Sequence, residues 1–566
     1  MKRCPRCNRV ETDETLKFCR IDGALLVDEE APTDVLTGTG DSARTQFLKA
    51  HTSDGAGTAS TARSRAAPTA TTNSSRRRIV FFVILAGVFI VLAIAGLFAY
   101  RHAHDTEVAI DSIAVLPFEN QSGDPDSDYL ADGLTDSIIY RLSQLPNLKV
   151  SPRSSVFHHK GKGEDPITIG NELRVNAVLS GRITKHGDQI TISTELTDVR
   201  YNKLLWGEQY DRQLSELLAT QREIAHEITE KLKVKISGED QRLANKHYTE
   251  NNDAYQSYLK GRFYWNKRTR EGYSKAIEQF KEAIDKDPSF ALAYAGLADC
   301  YNILSSYGLS SPNESFPLGK AAVTKALELD PNLAEAHTSM AYIKYQYEWD
   351  WAGAEREFKR AIELNPNYPT AHHWYGLALT NMGRLDEAFA ELKRAQELDP
   401  LSVVIMASTG WALYHVKRYD EAIAEFQKAL DMDENFVRAL WGIGEPYELK
   451  QDFQKSIASL EKAHQLDNSP SVFALLAASY ARANRKAEAR AILNELNQQM
   501  KLRYVDAYYI AEVYAALGEK EQALGSLEAA YRERSSLVIW LKFEPKFDDL
   551  RSDARYIDLM RRVGLK

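Results

Sequence analysis

The chain has 566 residues, enough for several domains, and its 44% apolar content is that of an ordinary globular protein. A formal net charge of −8 over that length leaves no basic face for nucleic acid, and four cysteines exclude a disulfide-built fold.

The first element is the stretch CPRCNRVETDETLKFCRID, residues 4–22. Cys4 and Cys7 form a C-x-x-C pair, Cys19 follows, and Asp22 stands where a fourth ligand is expected. This spacing resembles a small bacterial zinc ribbon that ordinarily closes on FCxxCG, with Asp22 in place of the last cysteine. The resemblance implies one zinc ion held by Cys4, Cys7, Cys19 and Asp22. A carboxylate is an acceptable zinc ligand but a hard one in a soft set. The alternative is a degenerate ribbon held by Leu16, Phe18, Leu25 and Leu26 alone. Residues 1–26 carry six basic and four acidic side chains, a thin balance for DNA binding. Residues 27–75, rich in Ala, Thr, Ser and Gly and without a helical or strand period, read as a disordered tether.

Residues 79–100, IVFFVILAGVFIVLAIAGLFAY, are 22 uncharged residues in a row. At about 1.5 Å per residue a helix of this length spans a hydrocarbon core of roughly 30 Å. Arg65, Arg76, Arg77 and Arg78 precede it without an acid, whereas Arg101 is followed by Asp105, Glu107 and Asp111. The positive-inside rule therefore predicts an inner (cytoplasmic) membrane protein with one span. Its N-terminus is then cytoplasmic and its large C-terminal part periplasmic or otherwise extracytoplasmic. Cys300 then lies across the membrane from the ribbon and cannot complete it, and it reads as a small packed hydrophobe.

Residues 108–236 read as a compact α/β domain. SIAVLPF predicts a buried strand, YLADGLTDSIIYRLSQL a helix and LKVSP a second strand. AVLSGRITKHGDQITISTELTDV predicts two alternating strands joined at Gly187-Asp188, NKLLWGEQYDR a last strand, and ELLATQREIAHEITEKLKVKI an amphipathic helix. In combination these segments resemble the TolB amino-terminal-like domain, related to FlgO-type envelope domains. The resemblance implies an accessory or sensory envelope domain with no known reaction. Asp132, Gly133 and Asp136 match its ADGLTD stretch, and their plain structural reading is a helix start with acids near the positive end of the helix dipole.

The remainder repeats. Ala354, Phe358, Ala361 and Pro366 recur 34 residues on as Ala388, Leu392, Ala395 and Pro400, and the register continues to Ala523, Leu527 and Ala530. This is the tetratricopeptide period. It predicts about eight helix pairs over 252–532, stacked in a right-handed superhelix, with a C-terminal helical cap over 533–566. Gly376, Gly410 and Gly444 fall twelve residues before the small residue of their own repeats, as a first-helix glycine should. The first helix of each pair lines the concave groove. In that register Tyr342, Tyr345, His373, Trp411, Tyr414, His415, Arg438, Trp441, Glu445 and Tyr508 are the candidate partner-binding residues, aromatic and Arg anchors among them. His372-His373 and His158-His159 have no neighbour at ligand spacing and are not read as metal sites.

The fold class expected is thus mixed: ribbon-like module, one transmembrane helix, α/β domain, then an all-α superhelix. No phosphate-binding, nucleophile-elbow, zincin or kinase motif is present, so no catalytic residue is assigned and the chain is not expected to be an enzyme. The function expected is an envelope-anchored scaffold or sensor that binds proteins or peptides in its groove, meets the membrane through residues 79–100, takes no nucleic acid, and carries zinc at most in the ribbon. The alternatives are a one-component membrane regulator with the ribbon as output, or an enzyme. An open groove with no perturbed acid pair favours the scaffold; a large, closed, acid-lined pocket in the α/β domain favours the enzyme.

Overall fold

The computed structural model describes residues 110–565, apart from 125–126, 146, 233–247 and 306–308. Of the first 109 residues it describes three two-residue strands. The chain divides into two compact units, Met1–His102 and Ala103–Lys566. In the first, β1 (Lys2–Arg3) pairs antiparallel with β2 (Val10–Glu11) and β3 (Val27–Asp28). Strand β3 falls just inside the stretch read as tether. The proposed ligands Cys4, Cys7, Cys19 and Asp22 and the apolar run 79–100 lie outside the described residues. Among the described residues no helix is long and apolar enough to cross a membrane.

The second unit begins with the α/β domain. Its strands are β4 (Ser112–Val115), β5 (Glu119–Asn120), β6 (Lys149–Val150), β7 (Ala177–His186), β8 (Gln189–Asp198) and β9 (Lys203–Gln213). The sheet order is β6-β4-β7-β8-β9, with β5 extending the pairing of β7. Strand β4 runs parallel to β6 and β7, while β7, β8 and β9 form an antiparallel meander. Gly187, at φ +62°, makes the β7–β8 turn that side chains rarely adopt. Every residue of β4 is buried, because the sheet is covered on both faces. Ile113 and Val115 pack with Leu134 and Ile138 of α1 (Asp128–Ser143) and Ile224 and Ile228 of α4 (Leu217–Lys231). Ala114 and Val178 face the other way, toward Val156 of α2 (Arg153–Phe157) and Ile169 of α3 (Pro166–Glu172). The two short helices and β5 carry too few residues to show a period.

The acids of α1 do not serve the dipole alone. Asp132 takes Lys160 at 2.5 Å and Asp136 takes Arg153 at 2.9 Å. Gly133 is a contact position: a Cβ there would meet Leu259 at 2.9 Å.

Among the described residues eight antiparallel helix pairs follow. They are α5 (Asn252–Asn266) and α6 (Arg270–Lys286), α7 (Ala291–Leu304) and α8 (Pro312–Leu329), α9 (Ala334–Ile343) and α10 (Trp351–Leu364), and α11 (Pro369–Met382) and α12 (Leu385–Leu398). The rest are α13 (Val403–His415) and α14 (Tyr419–Met432), α15 (Val437–Leu449) and α16 (Phe453–Leu466), α17 (Pro470–Arg482) and α18 (Lys486–Gln499), and α19 (Ala507–Leu517) and α20 (Lys520–Arg532). The period works by steric fit. Cβ atoms at Gly410 and Gly442 would lie 2.9 and 2.4 Å from the Phe426 ring, so one large side chain of α14 fills notches in its own first helix and in the next. Gly376 admits Leu392 and Gly444 admits Leu460 in the same way.

The array closes on itself. Tyr531 of α20 packs on Trp349 at 5.2 Å between ring centroids, and Arg534 lies over the same indole at 4.0 Å. The C-terminal segment does more than cap the last repeat. Helix α21 (Ala554–Val563) does pair with α20 through Arg555–Glu521 at 2.7 Å. Residues 538–550, in contrast, run back along the concave side as two 3-10 turns. There Trp540 stacks on His415 at 4.0 Å, and Lys417 holds Asp548 at 2.7 Å.

Candidate functional site

A cavity of about 760 Å³ lies between the α/β domain and the concave face of the array. Helices α1 and α2 wall one side with Tyr140, Ser154 and Phe157. The first helix of each of the eight pairs contributes to the other walls, and Trp540 and Glu544 of the returning segment close the far end. The groove is therefore partly filled by the chain's own C-terminal segment and roofed by the α/β domain. The open groove that would favour a plain scaffold is not what forms.

Period explains the wall. Trp411 and Glu445 are 34 residues apart and occupy equivalent positions, as do His373 and Trp441 two repeats apart. Of the ten candidate groove residues, Tyr342, Tyr345, His373, Trp411, His415, Arg438, Trp441, Glu445 and Tyr508 line the cavity. Tyr414 does not. It is wholly buried, and its hydroxyl donates to Glu544 at 2.8 Å, so it ties α13 to the returning segment. The aromatic wall is organised in pairs: Trp411–Trp441 at 4.5 Å and Tyr342–Trp374 at 4.4 Å between centroids.

The acids on this wall all have partners in the fold. Asp399 accepts from Ser154 Oγ at 2.5 Å and Ser155 Oγ at 3.3 Å across the domain boundary, and burial raises its carboxyl to about 6. Glu335 accepts from Tyr140 at 3.5 Å and is raised to about 7 by burial. Lys546 Nζ lies 2.7 Å from Glu445 and 3.2 Å from Glu512, with Glu544 two residues away, and burial raises all three carboxyls. The sequence points to Glu445 but not to Glu544 and Lys546, because the returning segment carries no repeat signal, nor to Glu512, which lies on the first helix of the last pair, α19.

The cations differ. Arg262, Arg268 and Arg438 line the cavity, and none of their guanidiniums makes an ion pair or hydrogen bond among the described residues. Arg268 stacks over Trp265 at 3.6 Å and Arg262 over the same ring at 4.9 Å. Their signal in the sequence was the basic-aromatic run GRFYWNKRTR at the end of α5. Several buried polar atoms of the wall also lack a partner: His373 Nε2, Trp411 Nε1, Tyr508 Oη and Gln346 Oε1. Burial holds His373 down to about 3, helped by Arg438 and Arg268. His372, its neighbour, is instead bound to Glu391 at 2.5 Å. Cys300 is buried in α7, and burial pushes its thiol well up. Among the described residues no cluster of three metal-ligating side chains occurs.

Comparison with known proteins agrees with this architecture in part. Residues 345–403 and 408–472 match a tetratricopeptide repeat model, so the array is built of tetratricopeptide repeats. Residues 109–229 match a model described as HilA/YgeH-like transcriptional regulator, second domain. That description differs from the TolB amino-terminal-like family whose motifs the same segment resembles. A putative adenylate cyclase 3 of Rhizobium meliloti (strain 1021) is 32% identical over 287 residues, 49% of this chain and 41% of that protein. The transcriptional regulator HilA of Salmonella typhimurium is 25% identical over 284 residues, 49% of each chain. The chain thus spans less than half the length of either relative. Among solved structures, YrrB, a tetratricopeptide protein with an unusual peptide-binding site, is 24% identical with a TM-score of 0.23, over 34% of this chain and 95% of that one. A monomeric mutant of human IFIT1 with Gppp-AAAA is 14% identical with a TM-score of 0.43, over 76% of this chain and 95% of that one.

Proposed function

We propose that this chain is the sensing and interaction part of a single-pass envelope regulator. In this reading a ligand enters the cavity, and a protein partner held by the repeats reads out the result. Residues 79–100 anchor the chain, the α/β domain and repeats lie outside the cytoplasm, and the zinc-binding ribbon is the cytoplasmic tether or output. The observation that carries the reading is the cavity itself. Its wall is shared by α1, α2 and the first helices of the array, so an occupant touches both domains and biases how they pack. The relatives support it from another side. Similar lengths of this chain match a protein named as a transcriptional regulator and one named as a putative adenylate cyclase, a pattern that suits a shared input joined to different outputs.

The enzyme reading has less support. The cavity holds raised carboxyls, but Asp399, Glu335, Glu445 and Glu544 are each engaged by the fold, and none stands free beside a nucleophile. The test is a photo-crosslinking amino acid placed at Trp374 on the wall, and separately at Leu502, which is 88% exposed. Intact masses of the full chain from irradiated cells should show a discrete adduct at 374 and none at 502. No adduct at 374, or the same ladder at both, would sink the ligand reading.

A further inference from the structure

The charge on the cavity wall is unbalanced in a specific sense. Its carboxylates are satisfied by Ser154, Tyr140, Lys546 and Tyr414, while the guanidiniums of Arg268 and Arg438 are not satisfied by anything among the described residues. A guanidinium offers five donors in a fixed fork, and leaving them unused in a partly enclosed site is costly unless a ligand takes them. The two arginines come from distant parts of the chain. Arg268 follows α5 of the first repeat, and Arg438 sits at the start of α15 in the sixth.

Both are close enough to His373 to act on it. Their charge adds to burial in keeping that imidazole neutral. His373 is only 5% exposed, and its Nε2 has no partner while lining the same cavity. Two arginines without an ion-pair partner among the described residues thus line the same cavity as a neutral imidazole whose Nε2 has no hydrogen-bond partner. Beside them stand two tilted aromatic pairs, Trp411–Trp441 and Tyr342–Trp374, and Arg438 lies 6.0 Å from the Trp441 ring centre. Trp411 Nε1 is also without a partner on this wall. Flat rings of this kind hold a flat body by stacking, and a few placed polar groups fix its orientation.

We propose that the cavity binds a small organic anion with a flat ring, its carboxylate or phosphate taken by Arg268, Arg438 and the Nε2–H of His373 and its ring by the Trp411–Trp441 and Tyr342–Trp374 pairs. The inference rests on the reading above that the cavity receives a ligand, and it names the ligand's chemistry.

The test uses the full chain and four probes that share one ring: 1-naphthoate, 1-naphthyl phosphate, neutral 1-naphthamide and cationic 1-naphthylmethylammonium. Binding is followed by equilibrium dialysis. One or both anions should bind, the amide about tenfold or more weakly, and the ammonium not at all. Arg268→Gln and Arg438→Gln should each weaken the anion by about 10- to 100-fold, the range for a hydrogen-bonded charge, and leave the amide unchanged. Arg268→Lys should retain part of the affinity. The better of the two anions tells carboxylate from phosphate. Neither arginine holds an ion pair among the described residues, and each change removes only a cation–π contact of about 0.5–1 kcal/mol, so the thermal midpoints should fall by no more than a few degrees, and the two variants stand as independent checks. Equal binding of amide and anions, no effect of either Arg→Gln change, or no binding of any probe would each overturn the assignment. If that happens while the photo-adduct at Trp374 still forms, the cavity takes a ligand of another class. If the adduct is missing too, the sensing reading falls with it.

Discussion

Lys546→Met is the most informative single perturbation of the fold. The lysine is 4% exposed, and its ammonium lies 2.7 Å from Glu445 and 3.2 Å from Glu512. Arg482 donates to its backbone carbonyl at 3.2 Å. At an effective dielectric constant near 20, the shorter pair alone is worth about 6 kcal/mol before desolvation is subtracted. Desolvation cancels most of that, so the pair itself adds little net stability. Removing one partner is a different matter, because it strands buried carboxylates, at a cost of about 3–5 kcal/mol. The sign with pH follows from the carboxyls. Burial already raises Glu445 to about 7, and without the lysine the group is raised further. A raised carboxyl binds protons that the unfolded chain has released, so the folded variant recovers stability as pH falls from 8 toward 5. Denaturant unfolding of parent and variant at both pH values should give the full loss at pH 8 and a smaller one at pH 5. A loss below about 1 kcal/mol at pH 8, or the same loss at both, would show that water reaches the cluster and would refute the argument.

Gly410→Ala places a Cβ 2.9 Å from the Phe426 ring and should cost about 1–3 kcal/mol by overpacking, read as a lowered thermal midpoint. His373 is held near 3 by burial, against an ordinary value near 6.5, so the folded chain refuses a proton that the unfolded chain accepts below about pH 6.5. Between pH 7 and 5 the parent should therefore lose about 2 kcal/mol relative to His373→Gln, at 1.36 kcal/mol per pH unit, and an unchanging difference would show that the imidazole is solvated. The purified full chain should carry one zinc that is lost in Cys19→Ser, lowered in Asp22→Ala and held more tightly in Asp22→Cys, as elemental analysis can show. A periplasm-dependent reporter fused after Lys566 should be active, and activity of a cytoplasm-dependent one there would reverse the topology.

The repeats were the most legible part of the sequence, because their period is enforced by contact. Small residues at Ala354 or Ala388 and the notch at Gly376 are demanded by neighbours within the same or the next pair, so the pattern returns every 34 residues. The strands of the α/β domain were legible for the same local reason: alternation in β8 is a consequence of one buried face. What could not be read is what depends on long-range return. Residues 538–550 show no period, and their partners Tyr414, Lys417, Glu445 and Glu512 lie from 34 to 131 residues away in sequence. Tyr414 was assigned to the groove because register gives the helix and its side but not what later fills that side. Arg268 was missed because it lies just past the end of α5, outside the helical register that picked out Arg438.

The central claim is that one cavity joins the α/β domain to the repeats. Hydrogen–deuterium exchange of the full chain, with and without the better naphthyl anion, tests it most directly. Exchange should slow in two places at once: in α1 and α2 around Tyr140 and Ser154, and in the first helices carrying His373, Trp411 and Arg438. Protection confined to the repeats, or to the α/β domain, would contradict it.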